Sequence, residues 1–278
     1  MSTKVKCVRF IIMAAIIFAC HTVFVNSAPA ASPAETIKAV SDFYFKQAKD
    51  FTLDFKVDSK IKDIADFIEP EPCTLSDLAL CHSEDLIKTV ARTKEIFDTA
   101  VLAAGGAMMA AEIALREPSF ALIRPPGHHA GHNFNGGFCF FNNMAIAVKN
   151  LLTHDTIESA LIVDIDLHYG NGTYDIVKSD PRITFRNIDA RTREAFFKDL
   201  EQALSDAASF GILGCSVGFD TYVRDWGGLL YGEDYHRVGT MLMSANQRLF
   251  CLLEGGYYVP DLGANASFLL QGILKACS

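Results

Sequence analysis

Short apolar runs alternate with longer stretches of helical pattern along most of this chain. The runs at 120–123, 160–163, 183–185, 212–217 and 249–253 are each bounded by turn residues. Runs of that length and setting read as buried strands. The stretches 84–116, 142–152, 191–208, 235–247 and 265–276 read as helices. Thr74-Leu75-Ser76-Asp77 and Ser83-Glu84-Asp85 carry the polar residues that start helices. Gly105-Gly106 predicts either close packing or a joint between two helices, and Pro260 predicts a break before the last helix. Residues 32–72 show no clean period, and Glu69-Pro70-Glu71-Pro72 interrupts the chain. Strands alternating with helices predict an α/β fold of three layers, α/β/α, with a mostly parallel sheet.

Composition narrows the function classes. With 278 residues and 50% hydrophobic, the chain has material for one large core. It carries 25 Lys+Arg against 33 Asp+Glu and no basic cluster, which argues against a nucleic-acid partner. The acidic balance favours cationic substrates, weakly. The first 30 residues differ from the rest. Lys4, Lys6 and Arg9 lead into an apolar run from Phe10 to Cys20, and Ala28-Pro29-Ala30 offers a cleavage site. That pattern predicts a secretory signal over residues 1–30 and a single domain over 31–278, with its core from about residue 78. The expected location is secreted or periplasmic if the signal is real and cytoplasmic otherwise. Membrane contact is expected only if the segment is an uncleaved anchor. Of the eight cysteines, Cys139, Cys215 and Cys251 sit in apolar surroundings and read as buried thiols, while Cys73 and Cys81 could pair.

The chemistry gathers at the ends of the strands. The segment ALIVDIDLHYGNGT, from Ala160, drives from an apolar run into Asp164, Asp166 and His168. In an extended chain, side chains at i, i+2 and i+4 share one side. Carboxylate oxygen and imidazole nitrogen are both ligands for Zn²⁺ and similar ions. The run at 120–123 ends in Arg124-Pro125-Pro126-Gly127-His128-His129, whose prolines forbid further inner strand and present two adjacent histidines. Imidazole titrates near neutrality, so the pair are candidates for proton transfer. Gly136-Gly137-Phe138-Cys139-Phe140-Phe141 follows, as pocket wall or as core. The run at 212–217 ends in Gly218-Phe219-Asp220, and the run at 249–253 in Glu254-Gly255-Gly256-Tyr257-Tyr258. Parallel strands put all four exits on one edge, and core packing alone does not ask for that convergence.

These segments resemble the arginase-like zinc deacetylases, the family of histone deacetylases and acetylpolyamine amidohydrolases. RPPGHHA, GFC-FN, DIDLHYGNGT, VGFD and LEGGYY come in the family's order, from about residue 78 to the C-terminus. The compact form is closer to small prokaryotic amidohydrolases. The resemblance implies an arginase/deacetylase-like fold and a zinc-dependent amidohydrolase that removes acetyl or short acyl groups from acetyl-lysine or acetylpolyamines. It implies Asp166, His168 and Asp220 as ligands to zinc or another divalent ion. It implies His128 and His129 as the acid/base pair, with Asp164 and Asn171 as their partners. Tyr257 would polarise the substrate carbonyl, and Gly137 and Phe138 would line the acyl channel. A K⁺ or Na⁺ ion is expected near the DIDLH loop.

The chain also departs from the family pattern. Tyr169 stands where many relatives carry a second histidine. A long segment after the DIDLH strand is absent, and so is a clear H-x-E-R-P-x-R near the N-terminus. The alternative function is a non-catalytic acyl-amine binding module on the same scaffold. Retention of Tyr257 argues against it, since binding alone does not need that hydroxyl. An arginase would need two metals and more Asp/His ligands than appear.

Overall fold

The sheet separates two cores. The computed structural model describes residues 8–12 and 65–277. In β4 (Ala160–Asp164), Leu161 and Val163 join one buried cluster while Ala160 and Ile162 join the other. In β7 (Leu249–Leu253), Leu249, Cys251 and Leu253 pack on one side, and Phe250 and Leu252 on the other. A strand apolar on both faces suits the middle of a parallel sheet covered by helices on both sides. The remaining strands are β1 (Val8–Ile12), β2 (Ala65–Ile68), β3 (Ser119–Leu122), β5 (Ile183–Asn187) and β6 (Ile212–Val217). All seven form one sheet in the order β2-β1-β3-β7-β6-β4-β5, and every pairing is parallel.

The two helical layers divide by position in the chain. One core is covered by α1 (Leu75–Ala79), α2 (Glu84–Val90), α3 (Lys94–Ala114), α4 (Asn143–Thr153) and α5 (Asn171–Val177). The other is covered by α6 (Arg193–Leu204), α7 (Gly232–Ala245) and α8 (Val259–Ala276). Their starts follow local chemistry. Thr74 and Asp77 form a capping box on α1, and Ser83 accepts from Leu86 N at the head of α2. Asn142 caps α4 through Ala145 N.

Several sequence expectations are corrected. The helical stretch 84–116 is two helices, and the joint lies at residues 91–93, not at Gly105-Gly106. The other expectation for that pair, close packing, is met at Gly105, where a Cβ would lie 1.9 Å from the Glu71 carbonyl oxygen. Pro260 sits in the first turn of α8, where a missing N–H costs nothing, so it opens the helix. The helix of 191–208 stops at Leu204 and gives way to a short 3₁₀ turn, Ala207–Ser209. Strand β2 arises from the stretch without a clean period. Cys73 and Cys81 are free thiols, and Cys139, Cys215 and Cys251 are buried.

Strand β1 falls within the segment read as a secretory signal. It is paired on both sides, by β2 and by β3. The structure lends the signal reading no support. The rest of residues 1–30 lies outside the described residues.

Two glycines fix the contact between α7 and α8. A Cβ at Gly239 would lie 2.1 Å from the Leu269 carbonyl oxygen, and one at Gly272 would lie 2.0 Å from that of His236. Replacing an exposed helix glycine by alanine normally stabilises by about 1 kcal/mol. Here the obstacle is backbone, which cannot swing aside, and overpacking costs ~1–3 kcal/mol. Gly239→Ala should therefore lower the urea midpoint. A midpoint equal to or above wild type would contradict this packing.

Candidate active site

Strands β3, β7, β6 and β4 are consecutive neighbours in the sheet. Their exits carry His128/His129, Tyr257, Asp220 and Asp164/Asp166/His168 respectively. At about 4.8 Å between strands, four neighbours span only about 14 Å. The order of the sheet thus gathers residues that are far apart in the chain.

Asp166, His168 and Asp220 come together, with one ligand atom from each lying within 4.8 Å of the others. The mechanism differs from an extended D-x-D-x-H. Strand β4 ends at Asp164, and the chain bends over residues 166–168. Asp164 Oδ1 accepts from Asp166 N at 3.0 Å, and Asp166 Oδ1 accepts from His168 N at 2.8 Å. Each acidic side chain thus holds the backbone two residues on. His168 Nδ1 lies 3.2 Å from Asp166 Oδ1 and 2.9 Å from Asp220 Oδ2. The second contact lacks hydrogen-bond geometry, and Asp220 Oδ2 is buried with no hydrogen-bond partner.

The electrostatics of this trio call for a cation. Burial, and then the Asp166 carboxylate, push Asp220 up to about 7. Burial also works against Asp166, but His128 and hydrogen bonds from His168 and Gly255 hold it well below the usual carboxylate range. The hydrogen bond to Asp166 and the close Asp220 carboxylate push His168 up to about 10. Room is kept for the acidic groups. A Cβ at Gly255 would lie 2.5 Å from Asp166 Oδ2 and 2.7 Å from Asp220 Oδ2. An orphaned buried oxygen, two crowded carboxylates and one imidazole fit a divalent ion with N/O preference.

The two adjacent histidines have unlike partners. His128 Nδ1 meets Asp164 Oδ2 at 3.0 Å, and His129 Nδ1 meets Asn171 Oδ1 at 2.6 Å. Their rings are 4.0 Å apart. Burial opposes charge on His128, but Asp166 and Asp164 outweigh it and raise its imidazole well above the ordinary value. Burial and the neighbouring His128 push His129 down to about 4. Helix α5 is pinned beneath them, since Gly172 N and Thr173 N both donate to the His128 carbonyl.

Glu254 is the residue that sequence reasoning passed over. Its fully buried carboxylate accepts from Gly127 N at 2.7 Å, His128 N at 3.2 Å and Ser216 Oγ at 3.1 Å, tying the exits of β3, β6 and β7. Buried Arg124 donates to the carbonyls of Glu254 and Gly256. The signal for Glu254 was an acid directly after an apolar strand, the same signal that marked Asp164. Glu254 also approaches His128 and Cys139 closely enough to form a second possible metal cluster. Its oxygens, however, already accept three hydrogen bonds, and burial pushes the Cys139 thiol well above its ordinary value. Asp166, His168 and Asp220 are the better set.

The aromatic residues divide. Phe141 is core, whereas Phe138 meets the Tyr257 ring edge to face, with centroids 6.3 Å apart. Gly137 and Phe138 both have positive φ, 54° and 68°, and Cys139 N donates to the Gly136 carbonyl, the pattern of a type I′ turn. A Cβ at Gly137 would lie 2.2 Å from the His129 ring. Burial raises the Tyr257 hydroxyl well above the usual phenol value, so it stays protonated and remains a donor. Tyr169 turns to Tyr174 and Phe185, with centroids at 6.2 and 6.1 Å. Only residues 188–192 link β5 to α6, so no long segment stands on that side. Trp226, not singled out in the sequence, lies against both Tyr257 and His168.

Comparisons with known proteins bear on the family and the fold. A family model described as the histone deacetylase domain matches residues 46–197. A probable deacetylase of Methanothermobacter thermautotrophicus is 36% identical over 260 residues, covering 74% of this chain and 78% of that protein. An acetylpolyamine amidohydrolase of Mycoplana ramosa is 32% identical over 192 residues, covering 56% of each. Acetylpolyamine amidohydrolase 1 of Pseudomonas aeruginosa is 35% identical over 191 residues, 55% of each. The chain thus spans little more than half of these two amidohydrolases. The crystal structure of the HDA15 HD domain superposes with a TM-score of 0.76 at 21% identity, covering 97% of this chain and 90% of that one, a likeness of fold. The family match covers more than half of the chain and includes β4 and the two histidines, so this chain belongs to the histone deacetylase domain family.

Proposed function

We propose that this chain is a zinc-dependent deacetylase that hydrolyses the amide of a small acylated amine or of an acyl-lysine side chain. The observation that carries this reading is the buried Asp220 Oδ2, which makes no hydrogen bond and is crowded against Asp166 and His168. Relatives named acetylpolyamine amidohydrolase support acylated amines as the substrate class. Asp166, His168 and Asp220 would hold the ion, and three protein ligands leave a position open. When bound there, zinc supplies Lewis-acid polarisation of the amide carbonyl and a more acidic water.

The chain's own residues account for the proton transfers. With Nδ1 of His128 and His129 engaged by Asp164 and Asn171, each imidazole turns Nε2 to the reaction. One Nε2 takes the proton of the attacking water as the C–O bond forms. The C–N bond then breaks, and a proton from the pair passes to the leaving nitrogen. The products are a short carboxylate and a free amine. The Tyr257 hydroxyl donates to the carbonyl oxygen as negative charge gathers there, a contribution larger in the transition state than in the ground state.

The direct test is hydrolysis of an acetyl-lysine peptide and of an acetylated polyamine by zinc-loaded and chelated protein. Turnover that disappears on chelation and returns with zinc is expected. Binding of both substrates with no turnover would favour the acyl-amine binding module. Tyr257→Phe should keep fold and metal and lose about a hundredfold to a thousandfold in kcat. An equally fast variant would remove Tyr257 from the mechanism.

Asp220→Asn separates the ion's effect from that of the fold. It removes one of two crowded carboxylates while keeping the shape. In chelated protein the variant should melt no lower than wild type, because like charges no longer oppose each other. Added zinc should raise the melting temperature of wild type and leave the variant nearly unmoved. An equal rise in both would place the metal elsewhere.

A further inference from the structure

Trp226 is the single tryptophan of the chain, and about half of it, 52%, is exposed. Its neighbours in sequence fix it in place. On one side, Asp225 Oδ2 accepts from Tyr257 N at 2.6 Å and from Tyr258 N at 2.7 Å, while Asp225 Oδ1 accepts from Trp226 N at 2.8 Å. On the other side, Gly227 N donates to the Asp220 carbonyl at 2.8 Å. The indole is therefore carried between a residue tied to Tyr257 and a residue tied to Asp220. Arg224 and Tyr222 strengthen the same clasp, each bonding Asp261 in the first turn of α8, at 2.8 and 2.9 Å. Arg224 also bonds the Tyr258 hydroxyl.

The indole lies face to face on the Tyr257 ring, with centroids 4.1 Å apart and planes 16° apart. It meets the His168 ring edge to face at 5.9 Å and 84°. It thus touches both the candidate oxyanion donor and a candidate metal ligand. A surface loop with no role at the site would have no need to hold an exposed aromatic ring at such an angle. A donor to a developing charge must be placed closely, and a misplacement of about 1 Å costs roughly a hundredfold in rate. The bonds that the Tyr257 and Tyr258 N–H groups donate to the Asp225 carboxylate set where the Tyr257 Cα sits, but they do not set the ring torsions. The stacked indole and the edge of Phe138 do that.

We propose that Trp226 is a positioning residue of this site, holding the Tyr257 ring for donation and forming the outer wall over Tyr257 and His168. The inference rests on the deacetylase reading above. It predicts an effect on turnover that passes through the Tyr257 hydroxyl.

The test is a cycle in zinc-loaded protein: Trp226→Ala and Trp226→Phe, each alone and combined with Tyr257→Phe. Trp226→Ala should lower kcat about tenfold or more with a smaller change in KM, and Trp226→Phe should recover much of it. Metal content should not change. On the Tyr257→Phe background, Trp226→Ala should cost little further, because the hydroxyl it positions is gone. Full kcat in Trp226→Ala, or an equal loss on both backgrounds, overturns the proposal. The lone indole adds a readout that needs no turnover. Its emission should shift to the red when Tyr257→Ala removes the stacked ring, and an unchanged spectrum would mean that the stack does not exist in solution. Wild-type protein inactive on every acylated amine overturns the deacetylase reading and this role with it. Active wild type with an unimpaired Trp226→Ala overturns the role alone.

Discussion

Four carboxylates, Asp164, Asp166, Asp220 and Glu254, are buried side by side along one rim of the sheet. Burying charge in a protein is unfavourable unless each group is paired or hydrogen-bonded. Each of the four meets that demand differently, and the differences define the site. Glu254 is met by two backbone N–H groups and a serine hydroxyl. Asp164 is met by His128 and by the Asp166 N–H. Asp166 has the N–H groups of His168 and Gly255 and the imidazole of His168. Asp220 has one oxygen on Leu167 N and one that makes no hydrogen bond, although His168 Nδ1 lies 2.9 Å away. That single shortfall is where a cation fits.

The same carboxylates arrange the machinery around them. Glu254 fixes the backbone that presents His128, and Arg124 pins the carbonyls on either side of Gly255. Asp164 orients the His128 imidazole, and Asn171 orients that of His129 from the head of α5. Burial opposes charge on both rings, but Asp166 and Asp164 outweigh it at His128 while the adjacent His128 adds to it at His129, so two identical side chains with centroids 4.0 Å apart acquire different acidities.

Much of this was legible in the sequence. Strands β6 and β7 are read without error because an unbroken apolar run of five or six residues between turn residues fits little besides a buried strand. His128, His129, Asp164, Asp166, His168, Asp220 and Tyr257 are singled out because polar groups just after apolar runs break the pattern abruptly, whereas the roles of Asn171, Gly137 and Phe138 come from the family resemblance alone. What was not legible depends on contacts between distant segments. Helix α5 follows a glycine and has no side-chain cap; the Gly172 and Thr173 N–H groups donate to the carbonyl of His128, a partner far back in the chain. Strand β1 was hidden because an apolar run after basic residues satisfies the grammar of a leader and of a strand equally. Trp226 lies in a loop without periodicity, and only the folded geometry places it on Tyr257. The approach of Asp166 to Asp220 was inferred from sheet topology, whereas the bend at residues 166–168 that achieves it was not.

The central claim is that one divalent ion sits among Asp166, His168 and Asp220 and not in the neighbouring group of His128, Cys139 and Glu254. X-ray absorption at the zinc edge of protein loaded with one equivalent of zinc distinguishes the two, because only the second group contains sulfur. The account predicts a shell of nitrogen and oxygen alone, at about 2.0–2.1 Å. A sulfur scatterer at about 2.3 Å would contradict it.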